Sequence, residues 1–426
     1  MTRPSAPSSS GGGRFGQFIA SLGPGLITGA ADDDPSGIAT YSIAGAAFGY
    51  LPLWTVLFSF PLMTAVQLMC ARLGMVTGLG LAGVIRRRYP TPVLWGACAL
   101  LIVANVINVS ADLTGMAAAT TMVTGVKASW WLPAYAILIT ALLIWSSYRT
   151  IARVFKWLTL ILLAYVATAV VAHAEWRTAV TATILPRIVW SRPFFAMLVA
   201  LLGTTISPYL FFWQAAQEVE EERAMGRNFR ERRGATDQEL RTARTDVITG
   251  MFSSNAVMFF IIVTAAATLH RSGVTQIATA QQAAEALRPL AGSAAYWLFT
   301  LGLVGTGMLA VPVLAGSCAY AVAEAAAWRG SLSHPLRHAR GFYAVLGVAI
   351  VIGWVLSYAG WNAIHLLFVT AVINGVLAPP LILIVILLTR DREVMGDSVS
   401  SSALNFLGWG AFVVMSGAGL GLVIAS

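Results

Sequence analysis

The chain has 426 residues, of which 58% are hydrophobic and only 11% are charged, whereas a soluble globular domain carries roughly 25% charged residues. This composition excludes an ordinary soluble enzyme and predicts a membrane protein with about a dozen spans, since each spanning helix needs about 20 apolar residues. The net charge of +9 belongs to the loops of such a protein and does not indicate a nucleic-acid partner.

The sequence divides into a polar tail and a long series of apolar runs. Residues 1–17 are rich in Ser, Gly and Pro and predict a disordered cytoplasmic tail. Residues 18–425 predict a single, all-α transmembrane domain, because uncharged apolar runs alternate with short charged segments. Eleven spans are predicted, at approximately 18–47, 52–76, 93–123, 131–147, 153–172, 194–216, 247–269, 293–326, 342–359, 363–389 and 404–425.

Charged residues are unevenly distributed between alternate loops. With the N-terminus inside, the inner segments hold 20 Lys and Arg residues and the outer segments hold 6, when Arg72 near a span end is left out. Because cytoplasmic loops are enriched in Lys and Arg, this predicts an inner-membrane protein with its N-terminus inside and its C-terminus outside. The longest polar stretch, 217–246, is interpreted as a charged cytoplasmic loop, the alternative being a helical extension of the sixth span.

Two spans contain a proline beside small polar residues. The first carries Asp34-Pro35-Ser36-Gly37 after two further aspartates, and the sixth carries Ser207-Pro208-Tyr209. A proline removes a backbone donor and disfavours helical geometry at the preceding residue, so both helices are predicted to break there, at Pro35 and Pro208. Paired breaks in corresponding spans of two inverted repeats mark the central site of many transporters. The alternative is that each proline only kinks its helix.

The residues at these breaks favour a hard cation. A helix that ends at a break presents carbonyl oxygens and the negative end of its dipole, and Asp34 supplies a negative charge. Thr204, Ser207 and Tyr209 add further oxygen atoms, and neither motif contains Cys, Met or His. Such an oxygen shell suits Mg²⁺, and also Mn²⁺, better than the later transition metals.

The sequence resembles the Nramp family of divalent-metal transporters over essentially its whole length. The resemblance rests on Gly23-Pro24-Gly25 through Asp34-Pro35-Ser36-Gly37, on the segment from Ala44 to Tyr50, and on the sixth-span motif around Pro208. It implies a LeuT-type fold, in which spans 1–5 and 6–10 form an inverted repeat with helices 1 and 6 broken. It also implies a secondary transporter or facilitator that imports a divalent cation by alternating access.

The family's metal ligands are only partly kept. Asp34 and Pro35 match the family sequence Asp-Pro-Gly-Asn, but Gly37 stands at the metal-binding Asn. The resemblance implies a metal site formed by Asp34, Thr204, Ser207 and Tyr209, in which Thr204 falls where the family offers a carbonyl and Ser207-Pro208-Tyr209 replaces Met-Pro-His. Without that methionine the chain looks like a Mg²⁺-transporting branch of Nramp-related proteins, so the predicted substrate is hydrated Mg²⁺, Mn²⁺ or both.

The family's proton route is also altered. In the third span the family's Asp-Leu-Ala-Glu reads Asp112-Leu113-Thr114-Gly115, so only the aspartate remains, and Gln214 stands at a family histidine. Glutamine does not change its charge at physiological pH, so Gln214 offers a polar contact and no proton exchange. Asp112 is interpreted either as a titrating group or as a hydrogen-bonded packing group. Proton coupling is therefore not predicted.

Asn374 in the tenth span is either a residue that lines the substrate site or an interhelical hydrogen-bonding group. No P-loop and no hydrolase motif occurs, so neither an enzyme nor an ATP-driven pump is predicted. No cofactor and no obligatory protein partner is indicated beyond membrane lipid. The alternative function is transport of a non-metal solute, an organic cation or an anion such as bicarbonate, on the same scaffold.

Overall fold

The computed structural model describes residues 23–145, 160–227 and 234–425, and the described chain is helical throughout, without a β-strand. The predicted tail, 1–17, lies outside these residues. The helices of eight or more residues are α1 Pro24–Asp32, α2 Pro35–Phe48, α3 Trp54–Thr77, α4 Leu81–Arg88, α5 Thr91–Thr124, α6 Ala128–Trp145, α7 Leu163–Val171, α8 Trp176–Ile184, α9 Arg192–Thr205, α10 Pro208–Ala224, α11 Asp237–Ala265, α12 Ala295–Ala325, α13 Arg340–Leu356, α14 Ala363–Arg390 and α15 Ser402–Ile424.

The architecture is that of a polytopic membrane protein, as predicted. Within the described residues, eight helical segments are long and apolar enough to cross a membrane. The first predicted span coincides with the pair α1 and α2, and the ninth with the 17-residue helix α13. The fifth contains α7, which covers only part of it, and residues 146–159 lie outside the described part of the chain. Every predicted span therefore contains helix, and the first and sixth are each divided in two.

The second halves of the broken helices cross their neighbours in a matching way. A methyl group added to Gly45 of α2 would lie 2.4 Å from the carbonyl oxygen of Ile262 in α11, and one added to Gly74 of α3 would lie 2.4 Å from that of Ala215 in α10. Spans 1 and 7 thus touch backbone to backbone, as do spans 6 and 2. Small residues permit such close approach of membrane helices, and the correspondence fits the predicted inverted repeat.

The segment 217–246 differs from the predicted solvated loop. Helix α10 continues to Ala224, and α11 begins at Asp237 behind a capping box formed by Thr236 and Glu239. Glu and Arg are good helix formers, and the ion pair of Arg223 with Glu220, at 2.6 Å between side-chain N and O, supports the extension. Charge alone suggested a loop, whereas most of this segment extends two helices.

Candidate functional site

Each break is two residues long and is followed by a proline at the first position of the next helix. Asp33 and Asp34 separate α1 from α2, and Ile206 and Ser207 separate α9 from α10. Proline is favoured at a helix start because its missing N–H would have no partner there and its fixed φ suits the first turn. Both predicted breaks, at Pro35 and Pro208, are confirmed.

The two oxygens of the Asp34 carboxylate have different partners. Oδ1 caps α2, since it accepts hydrogen bonds from the backbone N–H of Gly37 and from the hydroxyl of Ser36, each at 2.7 Å. Oδ2 faces the other broken helix, where the Tyr209 hydroxyl lies 3.5 Å away. The carboxylate is buried, with 2% of its residue exposed. One oxygen thus holds the helix end, and the other meets only a long contact.

Tyr209 connects the two breaks. Its hydroxyl donates a 2.9 Å hydrogen bond to the carbonyl oxygen of Ala31, in the last turn of α1. Its own backbone carbonyl accepts a 3.1 Å hydrogen bond from the Ser317 hydroxyl of α12. The tyrosine ring is fully buried. The carboxylate of Asp34, the hydroxyl of Tyr209 and the end of α1 therefore lie next to one another.

Thr204 and Ser207 point their hydroxyl groups at the end of α9. Ser207 donates to the carbonyl oxygens of Gly203 at 2.9 Å and of Thr204 at 2.7 Å, and the Thr204 hydroxyl donates to Leu201 at 3.0 Å. Both side chains are buried. The structure thus places these two predicted ligands at the second break, where the Ser207 hydroxyl bonds the carbonyl oxygens of the last turn of α9.

Asp112 and Gln214 occupy different environments. Both oxygens of the buried Asp112 carboxylate lack a hydrogen-bond partner among the described residues, although its charge is close enough to interact with that of Asp34. The Gln214 oxygen accepts a 2.6 Å bond from the Thr28 hydroxyl, and its nitrogen donates a 2.8 Å bond to Glu218. The geometry thus gives Gln214 a structural link between α1 and α10, and it gives Asp112 no hydrogen-bonded packing role.

Asn374 forms a reciprocal amide pair with Asn108 of α5. The Asn108 nitrogen donates to the Asn374 oxygen at 2.9 Å, and the Asn374 nitrogen donates in return at 3.3 Å. Both residues are buried. This contact corresponds to the interhelical alternative considered for Asn374, because both ends of its amide are used by the neighbouring helix.

Two aspartates beside Asp34 were not singled out by the sequence. Asp32 and Asp33 are buried and converge on the hydroxyl of Ser254 in α11, at 2.7 and 3.1 Å. In the sequence, these two residues stand out only as part of the triplet Asp32-Asp33-Asp34. Their contact could not be predicted, because Ser254, whose hydroxyl donates to both, lies more than 200 residues away. No group of three His, Cys, Asp or Glu side chains in the described part of the chain has the arrangement of a metal cage, so the carboxylates are distributed around the break.

Asp246 is a third residue that sequence reasoning missed. Its carboxylate accepts three backbone N–H groups at the start of α1, from Gly23 at 2.9 Å, Gly25 at 2.6 Å and Leu26 at 3.1 Å. An acid at a helix N-terminus satisfies free donors and complements the helix dipole. Asp246 belongs to the segment interpreted as a solvated loop, which hid its role, yet it fastens α1 to α11.

The arrangement offers oxygen atoms of three kinds to a bound ion: one carboxylate oxygen, hydroxyl oxygens and the backbone carbonyl oxygens at the ends of α1 and α9. The side chains at the two breaks include no thioether, thiol or imidazole. Mg²⁺ accepts such ligands and keeps several of its waters. The chemistry of the site thus suits a hydrated, hard divalent ion bound through few direct protein contacts.

Comparison with known proteins gives a consistent result. The family described as natural resistance-associated macrophage protein-like (Nramp) matches residues 25–425. A protein named divalent metal cation transporter MntH from Aeromonas hydrophila is 28% identical over 389 residues, which cover 88% of this chain and 88% of that protein. The protein of the same name from Xanthomonas campestris is 27% identical and covers 97% and 92% of the two chains.

Solved structures share the fold at low sequence identity. A manganese transporter of Eremococcus coleocola has a TM-score of 0.76 at 19% identity, with 97% of this chain and 88% of that chain covered. Mhp1, a nucleobase-cation-symport-1 family transporter, has a TM-score of 0.61 at 12% identity, with 95% and 91% covered. These likenesses show the fold, which is of the predicted LeuT type, and the two broken helices are seen in the chain itself.

Proposed function

The chain belongs to the Nramp family, and from this premise we propose that it imports a divalent metal cation, Mg²⁺, Mn²⁺ or both, by alternating access across the bacterial inner membrane. Members of this family are transporters and not enzymes. The names of the two MntH relatives support a divalent metal as the substrate class. The proposed ligands are Asp34 and Tyr209, with the second-break residues Thr204 and Ser207 beside them.

One observation carries the proposal: the Oδ2 atom of Asp34 faces the Tyr209 hydroxyl of the other broken helix across a long contact of 3.5 Å. A buried carboxylate is costly in the membrane unless it has a countercharge or a ligand. The hydrogen bonds to Oδ1 come from neutral donors, so the negative charge of Asp34 remains for a cation. A cation bound there would join both halves of the repeat.

The ion preference follows from what the site contains. Soft thioether and imidazole ligands favour later transition metals, whereas oxygen ligands favour Mg²⁺ and Mn²⁺. Ser207 is smaller than the methionine that the family carries there, which leaves room for waters on the ion. Because Mg²⁺ dehydrates reluctantly, a site with one carboxylate and several neutral oxygens suits it in partly hydrated form.

Movement of α1 is the proposed route of release to the inside. This helix has nine residues and is separated from α2 by the break, so it can move without unfolding the rest of the span. In the structure it is held by Asp246 of α11 and by Gln214 of α10. Release of those contacts would open the inner side. Gln214 gives no proton relay, so this opening need not follow a proton.

Transport by the purified protein in liposomes tests the function. Mg²⁺ and Mn²⁺ are supplied separately outside vesicles that contain an indicator of each ion, and saturable uptake is expected. Asp34→Asn should abolish uptake, because it removes the only charge on the ligand set. Asp397→Asn, an equivalent change at an exposed residue, should leave it intact.

The same vesicles test the alternative substrate class. Radiolabelled bicarbonate and an organic cation are offered with and without metal. Accumulation of either solute in the absence of metal, together with no uptake of Mg²⁺ or Mn²⁺, would replace metal transport by solute transport. Metal uptake that persists in Asp34→Asn would refute the site.

A further inference from the structure

A cavity of about 630 Å³ lies at the predicted outer side of the molecule. It is bounded by the end of α2, by α8 and by the short π-helix Ala266–His270 that follows α11. Its described lining includes none of the candidate ligands at the breaks. The cavity is therefore separate from the proposed transport site and needs its own explanation.

Three arginines line this cavity: Arg177, Arg187 and Arg271. They come from two segments of the chain that are far apart in sequence, and they face a single acid, Glu175. Only six Lys and Arg residues lie in the predicted outer segments, so half of them meet here. Such convergence concentrates positive charge where the rest of the outer surface has little, and it favours an anion.

The three guanidinium groups are not neutralised by an ion pair with any described residue. Within the described residues none of them forms an ion pair or a side-chain hydrogen bond, and the Glu175 carboxylate accepts instead from the Thr178 hydroxyl at 3.1 Å. The outer arginine Arg288, by contrast, pairs with Glu285 at 3.1 Å. Arginine presents donors that match the geometry of phosphate oxygens, so the cavity has unused capacity for a phosphate group.

The surface beside the arginines is apolar and uncovered. Trp176, Val180 and Ile184 recur every four residues along α8, on one face, with 39%, 51% and 57% of each residue exposed. Ile188, which lies four residues after the end of α8, is 60% exposed. An amphipathic helix of this kind lies in the membrane interface with its apolar face among acyl chains. The positive cavity and the lipid layer are therefore adjacent.

We propose that this cavity binds the phosphate headgroup of an anionic phospholipid of the outer leaflet, whose acyl chains lie along the exposed face of α8. The three arginines supply the charge, and the apolar face explains why a lipid and not a free anion is the occupant. The bound headgroup would touch the end of α2, which begins at the break, and the segment Ala266–His270 that follows α11, whose Ser254 contacts Asp32 and Asp33.

Native mass spectrometry of the purified full-length protein in nonionic detergent tests the site, with phosphatidylglycerol and phosphatidylcholine titrated separately. Phosphatidylglycerol should stay bound and phosphatidylcholine should not. Each basic residue near an anionic lipid surface contributes a factor of about five in affinity, so the triple variant Arg177→Gln, Arg187→Gln, Arg271→Gln should bind on the order of 100-fold more weakly.

Two controls keep the result specific. Arg192→Gln changes an exposed outer arginine outside the cavity lining and should bind phosphatidylglycerol as the unchanged protein does. The single variant Arg187→Gln, at a position outside the helices, should still fold and lose about fivefold. Equal retention of phosphatidylglycerol by the triple variant, or equal loss in Arg192→Gln, would overturn the proposal. Displacement of the lipid by millimolar inorganic phosphate would show a free-anion site and would also overturn it.

Discussion

The side chains at the two breaks contribute to the site in different ways. Asp34 uses one oxygen to cap α2 and leaves the other for a ligand, while Tyr209 spans from α10 to the end of α1. The sequence predicted both residues from their position beside a proline. It did not predict that the two carboxylate oxygens have different partners, because one of those partners is a tyrosine 175 residues away.

Tyr209→Phe tests the contribution of the hydroxyl group. The substitution keeps the buried ring but removes one oxygen from the site and leaves the Ala31 carbonyl without its 2.9 Å hydrogen bond. The lost hydrogen bond costs about 1 kcal/mol of stability. The lost oxygen ligand should weaken metal binding, and a loss of about 1 kcal/mol of binding free energy raises the KM for metal uptake by about fivefold. Uptake kinetics in liposomes measure this change, and Tyr135→Phe, whose hydroxyl contacts Thr120 in another part of the bundle, is the control. An unchanged KM would remove Tyr209 from the ligand set.

The half-helix α1 is the element with the most specific attachments. It crosses α11 so closely that a methyl group on Gly29 would lie 2.2 Å from the Gly250 carbonyl oxygen. Asp246 caps its first turn, and Gln214 holds Thr28. These two polar attachments add to the close backbone packing of α1 on α11. Because the break at Asp33 and Asp34 separates α1 from α2, α1 is proposed to move as a unit once the attachments are released.

Asp246→Asn should loosen α1 without changing the ligand set. An asparagine has one accepting oxygen and no charge, so it can keep the bonds from Gly23 and Leu26, which share Oδ1, but it loses the bond that Gly25 donates to Oδ2 and the negative charge at the start of α1. Loss of a helix N-cap costs about 1 kcal/mol of stability, and the free energy of unfolding should fall by about that amount.

Maleimide labelling of a cysteine introduced by Leu26→Cys should also become faster in this variant. The three native cysteines are buried, which keeps the background low. Asp237→Asn, an exposed change at the start of the same helix α11, serves as the control and should alter neither quantity. Equal labelling rates in the two variants would contradict the proposal that Asp246 holds α1 against α11.

At the scale of the whole molecule, the sequence predicts the features that follow directly from the membrane, which are the spanning helices and their breaks. Apolar runs bounded by charge must become helices, so the spans could be placed, and Pro35 and Pro208 located the breaks. Contacts between distant segments could not be read in this way. The Asn108–Asn374 pair joins residues 266 apart, and the burial of Glu218, Glu220 and Glu222 depends on which helices surround them.

The orientation of the molecule remains a prediction from charge, and fusion proteins test it. An odd number of crossings with the N-terminus inside places the C-terminus outside. A C-terminal alkaline phosphatase fusion should therefore be active, and a C-terminal green fluorescent protein fusion should be dark. Fusions truncated after Gly234, between α10 and α11, should behave in the opposite way, and fusions after Gly273 should behave like those at the C-terminus. Fluorescence of both the Gly273 fusion and the C-terminal fusion would place the N-terminus outside and would reverse the side assigned to the arginine cavity.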